Sequence, residues 1–177
     1  MTTKDFTTTI LVDSTPQEAF NAINNVRGWW SEEIEGDTEK LNDEFKYHFE
    51  DNHRAHLKLI EVVPNEKVVW LVLDNYFKPE FFAALSIPFS NQAEWTGTKI
   101  IFEISKADNK SDSRRTQIRF THLGLVPEFE CFEVCSNGWN FYIRASLLNL
   151  ITLGKGQPNS TGKPKTTHEE KFHATAK

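Results

Sequence analysis

The chain has 177 residues, a net charge of −5, and an aromatic content weighted toward 14 Phe and 5 Trp against 3 Tyr. This length is typical of one domain that buries its core without disulfides or metal, and the acidic balance argues against a nucleic-acid-binding surface. No signal-like N-terminus is visible and no run approaches the roughly 18 apolar residues of a membrane span, so we expect a cytoplasmic protein. Cys131 and Cys135 form no disulfide framework, which favours a reducing compartment.

The first part of the chain predicts a strand and two short helices. Phe6 to Val12 alternates apolar and polar residues as a half-buried strand does. Asp13-Ser14-Thr15-Pro16 is a helix-start signal, because a capping side chain precedes a proline in the first turn. Gly28 ends this helix, and Trp29-Trp30 begins a short second segment, helical or turn.

The middle of the chain predicts antiparallel strands. Alternation and β-rich composition place them at 45–49, 55–63, 67–73, 98–105 and 116–123. Pro64-Asn65-Glu66 predicts a tight turn between the second and third of these. In the last two strands the inward sets are Ile100, Phe102 and Ile104, and Ile118, Phe120 and His122.

A long apolar connection, Asp74 to Ala93, follows the third of these strands. Loops of this length are usually functional or disordered, and this one is too apolar for disorder. Its apolar residues are Tyr76, Phe77, Phe81, Phe82, Leu85, Ile87 and Phe89. We expect a short helix from about Pro79 to Leu85 that covers the domain as a lid.

After Pro127 the apolar spacing changes to that of a helix for about 25 residues. One face carries Phe132, Cys135, Trp139, Tyr142, Ile143, Ser146 and Leu150. This stripe is interpreted either as ordinary core or as part of the wall of a pocket. In the second case its residues with polar groups would line the pocket mouth. Gly138 inside the helix indicates a bend or a close approach.

A second stripe on this helix consists of Val134, Phe141 and Leu148 at seven-residue spacing. These residues are either scattered surface hydrophobes of a monomer or the contact face of a weak dimer. After Gly154 the composition becomes polar and rich in Gly and Pro. It predicts a single domain at 1–155 followed by a disordered tail at 156–177.

Titratable residues give few signs of chemistry. His122 falls on an apolar face, either as a neutral, hydrogen-bonded core histidine or as a ligand-orienting donor with a lowered pKa. His48, His53 and His56 do not share one side, and the two cysteines lack a second pair, so we expect no metal and no cofactor. Motifs of nucleophilic catalysis and phosphate binding are absent from the sequence, and no catalytic residue is predicted.

Four segments resemble a known family: TPQEAFNAINNVRGWW, EWTGTKIIFEIS, FTHLGLVPEFEC and CSNGWNFYIRASLLNLITLGKGQP. The chain is similar over Phe6 to Pro158 to activators of the ninety-kilodalton heat-shock chaperone's ATPase. These belong to the START and birch-pollen-allergen-like (SRPBCC) superfamily.

The resemblance implies an α+β helix-grip fold. In this fold a curved antiparallel sheet of about six or seven strands wraps a long C-terminal helix around an apolar pocket, with two short helices after the first strand. Because the eukaryotic activators carry a further N-terminal domain with no counterpart before Phe6, we expect a single-domain member. The resemblance transfers no catalytic residue.

Three functions remain open. The first is non-catalytic binding of a small apolar or amphipathic molecule between sheet and helix. The second is a co-chaperone-like module that contacts a chaperone or another protein through the Phe-rich loop 74–93. The third is a cyclase-like enzyme using His122 as acid or base. The predicted ligand-binding residues are Trp70, Phe81, Phe102, Phe120, His122, Trp139, Tyr142 and Ser146.

Overall fold

The computed structural model describes residues 4–87, 89–107 and 114–175. In these ranges one antiparallel sheet has the order β1-β7-β6-β5-β4-β3-β2. Its strands are β1 (Phe6–Asp13), β2 (Glu35–Gly36), β3 (Glu44–Phe49), β4 (His53–Val63), β5 (Lys67–Phe77), β6 (Lys99–Lys106) and β7 (Arg115–Leu123). The helices are α1 (Pro16–Asn24), α2 (Val26–Trp29), α3 (Pro79–Ala84), α4 (Phe132–Phe141), the π-helical segment Tyr142–Leu147, α5 (Leu148–Leu153) and α6 (Thr167–Thr175).

The helix-grip fold predicted from the sequence is confirmed. One face of the sheet is buried because alternate strand residues are apolar, and the paired strands β6 and β7 set Phe102 opposite Phe120. Register shifts in β4, at His56/Leu57 and Leu59/Glu61, interrupt its pairing with β5 and bend the sheet. The bent sheet leaves room for the long helix on its apolar side.

The first helix begins where the sequence predicts. Thr15 caps α1, and Glu18 completes a reciprocal capping box with it. The tight turn after β4 also forms, with Asn65 at a φ of 66° and Glu66 N–H donating to the Val63 carbonyl. An Asn tolerates this left-handed conformation better than most residues.

The long C-terminal helix runs from Phe132 to Leu153 and widens into a π-helical turn at Tyr142–Leu147. The turns before it are held by Glu94, whose carboxylate accepts from the backbone N–H groups of Glu130 and Cys131. The described helices include none that is long and apolar enough to cross a membrane.

The Phe-rich segment forms α3, close to the predicted helix at Pro79–Leu85. Its rings pack inward against one another. Phe82 is fully buried and stacks on Phe89 with ring centroids 3.9 Å apart, and Phe77 meets Phe82 edge-on. The described part of this segment therefore does not form an exposed aromatic patch.

The stripe proposed as a dimer face is not an exposed surface. Val134 is buried, and Phe141 and Leu148 are half-buried and pack against the core. The seven-residue spacing did not predict this, because a helix gripped by a curved sheet is covered on more than one face. These three residues offer no continuous apolar surface to a second copy.

The polar segment after Gly154 differs from the disorder that its composition predicts. It runs back over the domain, and Asn159 pairs with the loop after α2 through backbone hydrogen bonds to Trp30 and Glu32. It ends in α6, whose Phe172 is buried against Phe81. The tail docks mainly through hydrogen bonds, which a rule based on hydrophobic content does not register.

Candidate ligand-binding cavity

A cavity of about 60 Å³ lies between the open end of the sheet, the long helix and the tail. Its size leaves room for a few water molecules and is far below the roughly 300–1,000 Å³ of sites for drug-sized ligands. Its wall is mainly aromatic. The ring-bearing lining residues are Trp30, Tyr47, Phe49, His53, Phe77, Phe81, Trp95, Trp139, Tyr142 and His168.

Each side of the cavity comes from a different element. Tyr47 points inward from β3 by strand alternation, and it stacks on Trp30 with ring centroids 4.0 Å apart. Trp139 of α4 lies next to both Trp30 and Trp95 at centroid distances of 4.9 and 5.7 Å. The long helix, the end of α2 and the turn before β6 thus each place one tryptophan around one small space.

The tail forms one side of the cavity, through Thr166, His168 and Glu169, and is fixed at its start by Ser146. The Ser146 hydroxyl donates to the Trp29 carbonyl at 2.7 Å and accepts from Gln157 N–H at 2.6 Å. Gly156 fits here because a Cβ would overlap the Gly28 carbonyl oxygen and lie 2.9 Å from that of Ser146. A close approach between tail and helix therefore requires glycine at this position.

A buried polar chain joins the tail to the wall. The Asn159 amide nitrogen donates to the hydroxyls of Tyr47 at 3.0 Å and Tyr142 at 2.7 Å. Tyr142 in turn donates to both carboxylate oxygens of Glu169, at 2.8 and 3.0 Å. Burial is the main cause that raises the pKa of each tyrosine well above its usual value.

Glu169 also completes the N-terminus of α6. It accepts from the backbone N–H groups of Lys165 and Thr166, while its own N–H donates to the Thr166 hydroxyl. This is the Thr-x-x-Glu capping box, here turned toward the cavity. Burial raises the pKa of Glu169, opposed by these hydrogen bonds and by that from Tyr142.

Three buried polar atoms of the wall lack a hydrogen-bond partner: Asn52 Oδ1, His53 Nε2 and Trp95 Nε1. His53 as a residue is half-buried, but its Nε2 is shielded from solvent and its ring stacks on Phe77 at 4.1 Å. Burial, with a smaller effect of His122, lowers the pKa of His53 to about 3. Unpartnered buried polar atoms cost about 1–3 kcal/mol each, so they mark where a ligand could add a bond.

His122 lies behind the wall and is fully buried. Trp139 Nε1–H donates to its Nδ1 at 3.0 Å, so the proton of the neutral ring lies on Nε2, 2.8 Å from Thr98 Oγ1. The Thr98 hydroxyl donates onward to the Trp95 carbonyl. Burial lowers the pKa of His122 to about 3, and its two ring nitrogens are engaged within the core.

Of the residues predicted to bind a ligand, the structure brings three to the cavity: Phe81, Trp139 and Tyr142. The others do not line it. Trp70, Phe102 and Phe120 are fully buried core residues, His122 stands behind the wall, and Ser146 fixes the tail.

Sequence reasoning missed Trp30, Tyr47, Asn52, Trp95 and Glu169 as wall residues. For Glu169 a signal existed, because Thr166-x-x-Glu169 is a helix-start pattern inside the segment judged disordered. The other four had no comparable signal, since periodicity shows that a residue points inward but not whether it meets a void.

The structure does not bring the three candidate metal histidines together. His48 faces Glu33 at 3.2 Å, His56 faces Glu44 at 2.9 Å, and His53 lines the cavity. No group of three or more metal-ligating side chains occurs among the described residues.

Several solved structures share this fold. The Aha1 dimer from Colwellia psychrerythraea is similar at 21% identity and a TM-score of 0.64, over 86% of this chain and 99% of that one. A protein from Staphylococcus saprophyticus matches at 13% identity and a TM-score of 0.60, over 89% and 98% of the two chains.

An HSP90 activator from Plasmodium falciparum, PFC0360w, matches at 16% identity and a TM-score of 0.51, over 85% of this chain and 96% of that one. No protein-family model and no curated protein matches the sequence. At these identities the similarities show a common fold, and function has to be argued from the site.

Proposed function

We propose that this protein is a non-catalytic binding module that holds a small amphipathic molecule in the cavity beneath its C-terminal tail. The observation that carries the proposal is the wall itself, in which stacked aromatic rings surround a buried carboxylate and unpartnered polar atoms. A wall that served only as core would be expected to contain neither a buried carboxylate nor unpartnered polar atoms.

The size of the cavity limits the ligand. A space of about 60 Å³ accepts a small molecule or one small end group while the tail is docked. A larger apolar ligand requires the tail to move, because the wall residue Phe81 packs against Phe172 of the tail at a centroid distance of 5.1 Å. We therefore assign a small ligand to the closed protein.

Native mass spectrometry of freshly purified protein tests this proposal. We expect a co-purified small molecule on the wild type. Gly138→Leu should lose it, because position 138 lines the cavity and a Cβ there meets open space. Asn137→Leu is the matched control, since Asn137 is exposed one position earlier on the same helix. Wild type without a bound molecule, or equal binding in both variants, would overturn the proposal.

A second candidate is a co-chaperone-like interaction module. It is supported only by the fold, which this chain shares with the Aha1 dimer and with a Plasmodium falciparum protein named as an HSP90 activator. The inward packing of the Phe-rich loop argues against that loop as the contact surface. Isothermal titration of an HSP90 with this protein tests the candidate; a bound complex that survives Phe81→Ala would favour it, and no heat change at high concentration would reject it.

A further inference from the structure

One acidic side chain, Glu169, contributes to the described cavity wall. The described lining residues include no Lys or Arg. The groups that approach its carboxylate are neutral donors: the Tyr142 hydroxyl, two backbone N–H groups and the Asn159 side-chain amide. Because all of these groups donate, they match the ionised form of Glu169, and we infer a negative charge that no Lys or Arg among the described lining residues balances.

The histidines beside the cavity do not provide that cation. Burial lowers the pKa of His53 to about 3, and it also lowers the pKa of the partly exposed His168. The His53 ring is therefore neutral near pH 7, and burial shifts the His168 ring toward its neutral form. A neutral imidazole leaves the charge of the Glu169 carboxylate unopposed.

The aromatic wall favours a positive charge in the same space. Trp30 stacks on Tyr47, and Trp139 stacks on Trp95, so that two ring pairs border the cavity. The π-face of an aromatic ring carries negative charge density and attracts cations, most strongly when both are shielded from water. Asn52 Oδ1 adds a buried oxygen that can accept a hydrogen bond, and no donor contacts it.

We propose that the cavity binds a small alkylammonium ion, with its alkyl groups against the tryptophans and its charge facing Glu169. This inference rests on the proposed function and names the chemical class of its ligand. An N–H of the ion would donate to Glu169 or to the unpartnered Asn52 oxygen. An anion would be repelled by the carboxylate, and a purely apolar ligand would leave the buried charge uncompensated.

A charge series on one carbon skeleton tests the inference. Isopropylammonium, isopropanol and isobutyrate share an isopropyl group and differ in charge. Each is titrated into ¹⁵N-labelled protein while the indole N–H signals are followed by NMR. Three of the five tryptophans line the cavity, whereas Trp29 and Trp70 lie in the core and serve as internal references. We expect isopropylammonium to bind at least tenfold more tightly than isopropanol, with isobutyrate weakest.

Glu169→Gln removes the charge and keeps the capping box, because Gln serves at this position as Glu does. It should weaken isopropylammonium at least tenfold and change isopropanol less than twofold. Glu170→Gln is the matched control, an exposed neighbour on the same helix, and should bind as the wild type does. Equal ammonium binding by the wild type and Glu169→Gln would overturn the inference.

Replacing all tryptophans by a fluorinated analogue provides a second measurement that does not depend on the tail. Fluorine withdraws electron density from the ring face, so ammonium binding should weaken severalfold while isopropanol is unaffected. If isopropanol or isobutyrate binds as well as the ammonium ion, the inference fails and the proposed function stands. If no member of the series shifts a cavity indole signal, both fail.

Discussion

Replacement of His122 by Asn tests the buried histidine that joins the sheet to the long helix. The Asn side-chain oxygen reaches the position of Nδ1 and still accepts from the Trp139 indole N–H, but no atom replaces Nε2 near Thr98. One buried hydrogen bond is lost and a small void forms. We expect the free energy of unfolding at pH 8 to fall by about 1–3 kcal/mol.

The larger consequence is a change in pH dependence. Burial lowers the pKa of His122 from 6.5 to about 3, so the unfolded chain takes up a proton that the folded chain excludes. The stabilisation from this group is complete above pH 6.5 and is lost as the pH falls toward 3. At pH 5, about 1.5 units below the ordinary pKa, the loss is about 2 kcal/mol, at 1.36 kcal/mol per unit.

Urea unfolding of both proteins at pH 8 and pH 5, followed by tryptophan fluorescence, measures this difference. The wild type should lose about 2 kcal/mol more than His122→Asn between the two pH values, because the other titrating groups are common to both. His56→Asn is the control, since His56 is a half-buried residue paired with Glu44. An identical pH dependence in wild type and His122→Asn would refute the assignment of His122 as a buried neutral base.

Four further outcomes follow from the packing. Ser146→Ala leaves the buried Trp29 carbonyl and the partly buried Gln157 N–H without the hydroxyl that joins them. It should lower the free energy of unfolding by about 2 kcal/mol and the Tm by about 4–8 °C in a thermal melt. Gly156→Ala should expose the tail to limited proteolysis, because the added Cβ would overlap backbone atoms. Gly138→Ala should instead raise the free energy of unfolding by up to about 1 kcal/mol, since the added Cβ meets nothing within 4 Å. Cys131 and Cys135 should resist maleimide in the folded protein at pH 8 and react in urea, because both are buried. A hydrogen bond in which the Cys131 thiol is the donor to Cys135, together with burial, raises the pKa of Cys131, and rapid labelling of the folded protein would contradict this.

The fold was predictable because its signals are local. Alternation assigned Phe120 and His122 to the inner face of β7, and Thr15 with Glu18 marked the start of α1 in the sequence. Both patterns depend on backbone geometry over a few residues, which tertiary packing then leaves intact. The same holds for α3, whose start at Pro79 follows from the restricted φ of proline.

The site was less predictable, because its residues acquire their roles only through contacts between distant segments. Trp70 and Trp30 are both inward-facing tryptophans, yet Trp70 fills the core and Trp30 borders the cavity. Ser146 was expected at a pocket mouth because of its hydroxyl, but that hydroxyl is engaged with the tail. In each case the role of the residue depends on which distant segment of the chain packs against it. Sequence periodicity does not predict that contact.

The tail shows how strongly such contacts can override composition. Glu169 lies in a segment that buries one large apolar side chain, Phe172, and otherwise docks through polar groups. The Glu169 carboxylate is itself buried, and the loss of hydration raises its pKa. Tyr142 and the backbone donors of the capping box offset part of that cost. A bound cation would offset more of it and would stabilise only the docked tail, because undocking removes Glu169 from the site. The proposed ligand and the docked form of the tail are therefore thermodynamically linked, and the segment that forms one side of the cavity is also the one that supplies its carboxylate.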